Sequence, residues 1–189
     1  AGGLAVTATA QTLEVNTPRP LDLVEVVTWS PEQVEEALLT SPPPRLDELC
    51  GWEFYGYNLP DFTSLLGIRK FQKGFLPPEG DELLRGYNVR VRPGGPLDPW
   101  DVIRTERGAP LRHGFYDVRP ASFPDDHYPP ALLIDYACGR NPSWDPSARL
   151  RDYLVALGPD TFLGKAFLAF GKRRIPVSTF VLQRANPAS

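Results

Sequence analysis

Short β-like runs, several alternating polar and apolar residues with a period of two, recur along this chain, and the clearest helix signal is one short stretch from Ser30. From Trp52 onward, short runs rich in aromatic and β-branched residues follow one another. They are Trp52–Tyr57 (WEFYGY), Ile68–Phe75 (IRKFQKGF), Gly86–Arg92 (GYNVRVR), Gly114–Arg119 (GFYDVR), Ala131–Tyr136 (ALLIDY) and Leu150–Leu157 (LRDYLVAL). Such residues suit a pleated, half-buried surface, so each run predicts a strand; Leu150–Leu157 also fits a helix, and the hairpin pattern and spacing after it favour strand. Pro93-Gly94-Gly95-Pro96 and similar clusters end them as turns. The last two runs, Thr161–Phe170 and Ile175–Gln183, flank Gly171-Lys172-Arg173-Arg174 and predict a hairpin.

The first third reads differently. Thr12–Val15 and Leu21–Thr28 are extended in pattern, divided by Pro18 and Pro20, and predict an arm with one or two edge strands. Ser30-Pro31-Glu32-Gln33 is a capping box with proline at the first helical position. It predicts a helix over 30–40, stopped by Pro42-Pro43-Pro44. A short turn capped by Asp61 is expected over Asp61–Leu66. Strands in succession, with no alternation of strand and helix, argue for a mainly β fold: an antiparallel sheet curled into a barrel. The expected organisation is an extended arm over 1–29 and one barrel domain over 30–189 with its leading helix.

Composition narrows the function classes. The 22 prolines disfavour long helices, because an interior proline removes a hydrogen bond and clashes with the turn before it. A net charge of −3 gives no case for a nucleic-acid partner. Its distribution is uneven: residues 1–50 hold two arginines against eight carboxylates, a balance of −6 that leaves +3 for the rest. An acidic N-terminal arm across a basic face of the barrel would follow. No apolar run is long enough to span a membrane. Ala8-Thr9-Ala10 has the small-x-small form of an export-signal remnant, without basic residues ahead of it. Cys50 and Cys138 allow one disulfide but show no framework spacing, which favours a cytoplasmic, reduced pair over an exported one.

Phosphate-binding loops, zinc motifs and nucleophile elbows are missing from the sequence, and no cofactor is called for. His113 and His127, the only histidines, fall in polar surroundings. More informative are polar residues inside apolar runs: Arg69, Lys70, Asn88, Asp135, Tyr136, Arg151, Asp152, Tyr153 and Lys165. Half of these face outward in any barrel, and inward ones need partners.

Gly51-Trp52-Glu53-Phe54, Gly67–Phe75, Leu132–Tyr136, Arg151-Asp152 through Asp160–Gly164 and Phe180–Arg184 occur in an order that resembles lipocalin-like (calycin) barrels. The similarity is to the small bacterial GxWxG-type domains, over roughly residues 50–184. Trp52-Glu53-Phe54 departs from a strict GxWxG, and the first 49 residues have no counterpart. The resemblance implies a ligand cavity and supplies no catalytic residues.

The expected function is therefore binding of a hydrophobic small molecule: a lipid, isoprenoid or aromatic compound. Its site is expected at Trp52, Phe54, Phe71, Phe167 and Phe180, with Arg69, Asp135, Arg151, Tyr153 and Lys165 as polar groups. Two alternatives stay open. One is an accessory subunit that docks on a protein partner, or on itself, through residues 1–28. The other is a barrel enzyme using Asp135, Arg151, Tyr153 and Lys165 for acid/base chemistry.

Overall fold

The computed structural model describes residues 21–59, 67–80, 83–122 and 127–188. Eight strands form a closed barrel in which every neighbour pairs antiparallel and in chain order. They are β1 (Trp52–Asn58), β2 (Lys70–Leu76), β3 (Leu84–Arg90), β4 (Arg112–Pro120), β5 (Leu132–Asp135), β6 (Leu150–Ala156), β7 (Thr161–Phe170) and β8 (Arg173–Pro187). Closure comes from β8, which pairs with β7 on one side and with β1 on the other, Gly56 opposite Leu182.

The register fixes which side chains enter the barrel. Phe54 lies opposite Lys73, Lys73 opposite Asn88, Ile134 opposite Asp152, and Asp152 opposite Ala166. Opposed residues share a face, so these belong to one interior layer with their i±2 neighbours. Three register shifts bend the sheet into a tube: in β1/β8 near Trp52, in β3/β4 near Gly86, and in β7/β8 near Phe167. The second gives β4 an extra residue at Gly114, whose φ of +54° is open to glycine. Pro176 sits at the third, where its missing N–H breaks no regular ladder.

Aromatic rings lie on interior glycines across strands. A Cβ built on Gly86 would sit 2.2 Å from the Tyr116 ring, and one on Gly164 would sit 2.2 Å from Phe180. An eight-stranded barrel is just wide enough for its side chains to fill or for one small ligand. Here Phe54 packs edge-to-face on Phe75 and Phe162, and Phe75 on Tyr116.

A second core lies outside the barrel. Helix α1 (Leu23–Val26) and helix α2 (Pro31–Thr40) bury Leu23, Val26, Val34 and Leu38 against Tyr153, Leu163, Phe167 and Val181 of the outer wall. The capping box forms as expected: Gln33 N–H donates to the Ser30 hydroxyl, and Ser30 N–H to the Gln33 side chain. Glu35 of α2 meets Lys165 of β7 at 2.6 Å, one contact of an acidic N-terminal segment with the barrel wall.

Residues 21–28 correct an expectation. They are not an edge strand: Leu23–Val26 makes one helical turn, capped where Glu25 N–H donates to Asp22. Leu23 and Val26, three apart, both reach the wall, which a strand would not allow. The expected arm over 1–20 and the turn over 61–66 lie outside the described residues. Helix α3 (Leu46–Leu49) was not anticipated; it sends Leu49 into the barrel core from one end.

Candidate functional site

In an up-and-down barrel the β1–β2, β3–β4, β5–β6 and β7–β8 connections share one end, termed the mouth below. The other end is closed by the segment through α3. There Ala156 N–H donates to Pro42 and Gly51 N–H to Phe75, and Leu49, Phe54, Phe75 and Phe162 are fully buried. At the mouth, interior-facing Phe71, His113 and Leu168 are only half-buried.

Beneath the mouth lies a polar centre inside the apolar barrel. The Lys73 ammonium, 2% exposed, is 3.1 Å from Asp152 Oδ2 and 3.0 Å from Asn88 Oδ1, and also donates to the Tyr136 hydroxyl. The Tyr136 hydroxyl donates to Asp152 Oδ2 at 3.0 Å and accepts from the Asn88 amide at 3.2 Å. The Tyr116 hydroxyl donates to the carbonyls of Gly74 and Tyr87. The rings of Tyr116, Tyr136 and Phe180 surround Lys73 at 4.8, 5.0 and 5.4 Å. Asp152 Oδ1 is buried and meets no hydrogen-bond donor among the described residues.

Lys73 has three N–H groups and three acceptors, a set that suits the protonated amine. Burial pulls its pKa down and the Asp152 carboxylate opposes that. Burial, and then the Asp152 charge, push both Tyr116 and Tyr136 well above the ordinary phenol value, so both remain proton donors. His113, across the sheet from Asn88, is held down to about 4 by burial first and then by Arg90 and Lys73, with Asp145 opposing.

Of the residues singled out in the sequence, Trp52, Phe54, Phe71 and Phe180 lie in or against the barrel core. Trp52 is at the closed end under the Arg184 guanidinium, 4.7 Å away. Asp135, Arg151, Tyr153, Lys165 and Phe167 are on the outer wall instead. Asp135 pairs with Arg151 at 3.1 Å, and Tyr153 and Phe167 belong to the core under the helices. Arg69 is exposed beside the first residue of β2. The reason is parity: Asp152 shares the inner face with Leu150 and Leu154, so Arg151 and Tyr153 must point out. Lys73 was hidden in the same way. It is absent from the polar residues singled out above, yet it shares its face with Phe71 and Phe75, and that spacing was the available signal.

Outside the barrel, Asp22, Leu23, Tyr55, Pro96, Trp100 and Gln183 line a groove of about 240 Å³. Its polar groups are engaged in the fold: Gln183 accepts from Leu23 N–H, and Asp22 caps α1. Cys50 and Cys138 are free thiols. Among the described residues there is no cluster of three or more potential metal ligands.

Fold and site together define an eight-stranded, up-and-down antiparallel barrel with an ion pair buried in its interior. No protein-family model matches the chain, and no curated protein matches it. A solved structure of a redesigned β-barrel is similar over 78% of this chain and 100% of its own, at 17% identity and a TM-score of 0.35.

Proposed function

We propose that the barrel binds one small, mainly apolar molecule through its mouth, and that the ligand's polar end is a hydroxyl. The observation that carries this is Asp152 Oδ1, a buried carboxylate oxygen without a donor, beneath half-buried Phe71 and Leu168. A buried polar atom left unpaired costs about 1–3 kcal/mol, and a hydroxyl would remove that cost. Lys73 has no N–H to spare, and the cations around His113 disfavour an amine. The aromatic interior suits an apolar body that displaces part of it, and the lipocalin-like order of Gly51-Trp52 and the closing strands agrees with a ligand-carrying barrel. Phe71 and Phe180, packed edge-to-face at 5.6 Å above Lys73, are the side chains a ligand would displace.

Native mass spectrometry of the purified protein tests this reading. The expected result is a retained small molecule, or uptake of added 1-naphthol at one equivalent, with either reduced by Phe71→Trp. Neither retention nor uptake by a folded protein would refute it.

A further inference from the structure

The mouth has a second property that does not depend on what the interior holds. It gathers exposed apolar side chains and cations from separate connections of the chain. Trp144, in the β5–β6 connection, is 82% exposed; Phe170, at the β7–β8 hairpin, is 46% exposed; Ile68, just before β2, is 40% exposed. Exposed aliphatic residues also occur elsewhere, Leu46 and Leu83 at the closed end and Leu39 on α2, but among the described residues the exposed tryptophan and phenylalanine, Trp144 and Phe170, are both at the mouth.

Around them stand Arg69, Arg90, Arg149, Lys172 and Arg173, all exposed, and none has an ion-pair partner among the described residues. Arg149 lies 5.2 Å from the Phe170 ring, so cation and apolar group are side by side. The long β3–β4 connection, 91–111, adds three arginines and three carboxylates and is neutral. Asp145, in the β5–β6 connection, is a carboxylate at the mouth that opposes the cations around His113. The opposite end carries Asp47, Glu48, Glu79 and Asp160, each paired with an arginine there: Arg45, Arg85 or Arg184. The net charge of −3 thus conceals a mouth with exposed cations that are unpaired among the described residues, set against an opposite end whose named charges are paired.

We infer that the mouth docks on an anionic lipid surface. Tryptophan and phenylalanine enter the headgroup–acyl boundary, while arginine and lysine beside them meet lipid phosphates and carboxylates. At the opposite end Arg45, Arg85 and Arg184 are already paired with carboxylates, so the exposed cations of the mouth orient the barrel mouth-down. Charge complementarity selects this occupant over a neutral apolar partner, which would leave five cations without counter-charges. No helix among the described residues is long and apolar enough to cross a membrane, and the inferred contact is made by these side chains.

The test is co-sedimentation of the full chain with large unilamellar vesicles of phosphatidylcholine alone, or of phosphatidylcholine and phosphatidylserine at about 7:3. Binding is expected to the mixed vesicles, with a blue shift of tryptophan emission, and to weaken steeply from low to high salt. Lys172→Gln/Arg173→Gln should lower the partition coefficient about fivefold per charge. Trp144→Ala should reduce binding and remove most of the emission shift. Asp47→Asn, at the far end, should bind at least as well as the unmodified chain. Circular dichroism shows that each variant is folded. The inference is overturned by absence of binding, by equal binding to both vesicle types, or by binding that the Trp144 and Lys172/Arg173 variants leave unchanged.

Discussion

Lys73 and Asp152 hold each other in a place where neither would be stable alone. Removing one partner of a buried ion pair strands the other charge, at a cost of about 3–5 kcal/mol, whereas replacing both with apolar residues is commonly neutral or stabilising. Lys73→Met should therefore destabilise the protein by about that amount in urea unfolding. Lys73→Met/Asp152→Leu should return to the parent stability or exceed it. A double variant no better than the single would mean that the pair is needed for the barrel to close, which would weaken its reading as a ligand-orienting centre. His113 gives the pH dependence. Folded, it gains a proton only near pH 4, against 6.5 ordinarily. Between those values the unfolded chain binds more protons, so acid favours unfolding. The stability is fully present above pH 6.5 and is lost as pH falls toward 4, by at most about 3 kcal/mol. His113→Gln should flatten that part of the stability–pH curve, and an unchanged slope would place the effect elsewhere.

At the scale of elements, the barrel depends on glycines that let rings lie against backbone. Gly164→Ala would drive a methyl into the Phe180 ring, which packs on Phe71 and borders Lys73. Overpacking of this kind costs about 1–3 kcal/mol, to be read as a lowered denaturation midpoint with the m-value unchanged. Most strands were legible because period-two runs and proline–glycine turns are local signals. The 161–183 hairpin and the α2 capping box were equally plain. The turn at Leu23–Val26 was not, since Leu21–Thr28 fits either pattern and only packing on β8 decides it. The site was less legible than the fold. Asn88, Tyr136 and Asp152 stood out as polar residues in apolar runs, but a one-residue difference in parity separates Asp152 inside from Arg151 and Tyr153 outside. That parity is set by pairing with β5 and β7, far away in sequence.

For the whole molecule, the structure joins three things: a closed end sealed by α3, a buried polar centre, and a mouth whose interior side chains remain partly exposed. Asp152 neutralises Lys73 through Oδ2, and its second oxygen is left for a ligand. The most direct measurement is a titration of the amide NMR spectrum with 1-naphthol and with naphthalene, which differ by the hydroxyl alone. The account predicts saturable shifts clustered at Phe71, Lys73, His113, Asp152 and Leu168, with 1-naphthol bound about 10–100-fold more tightly. Equal affinity for the two compounds, or shifts confined to the outer groove at Tyr55 and Trp100, would contradict it.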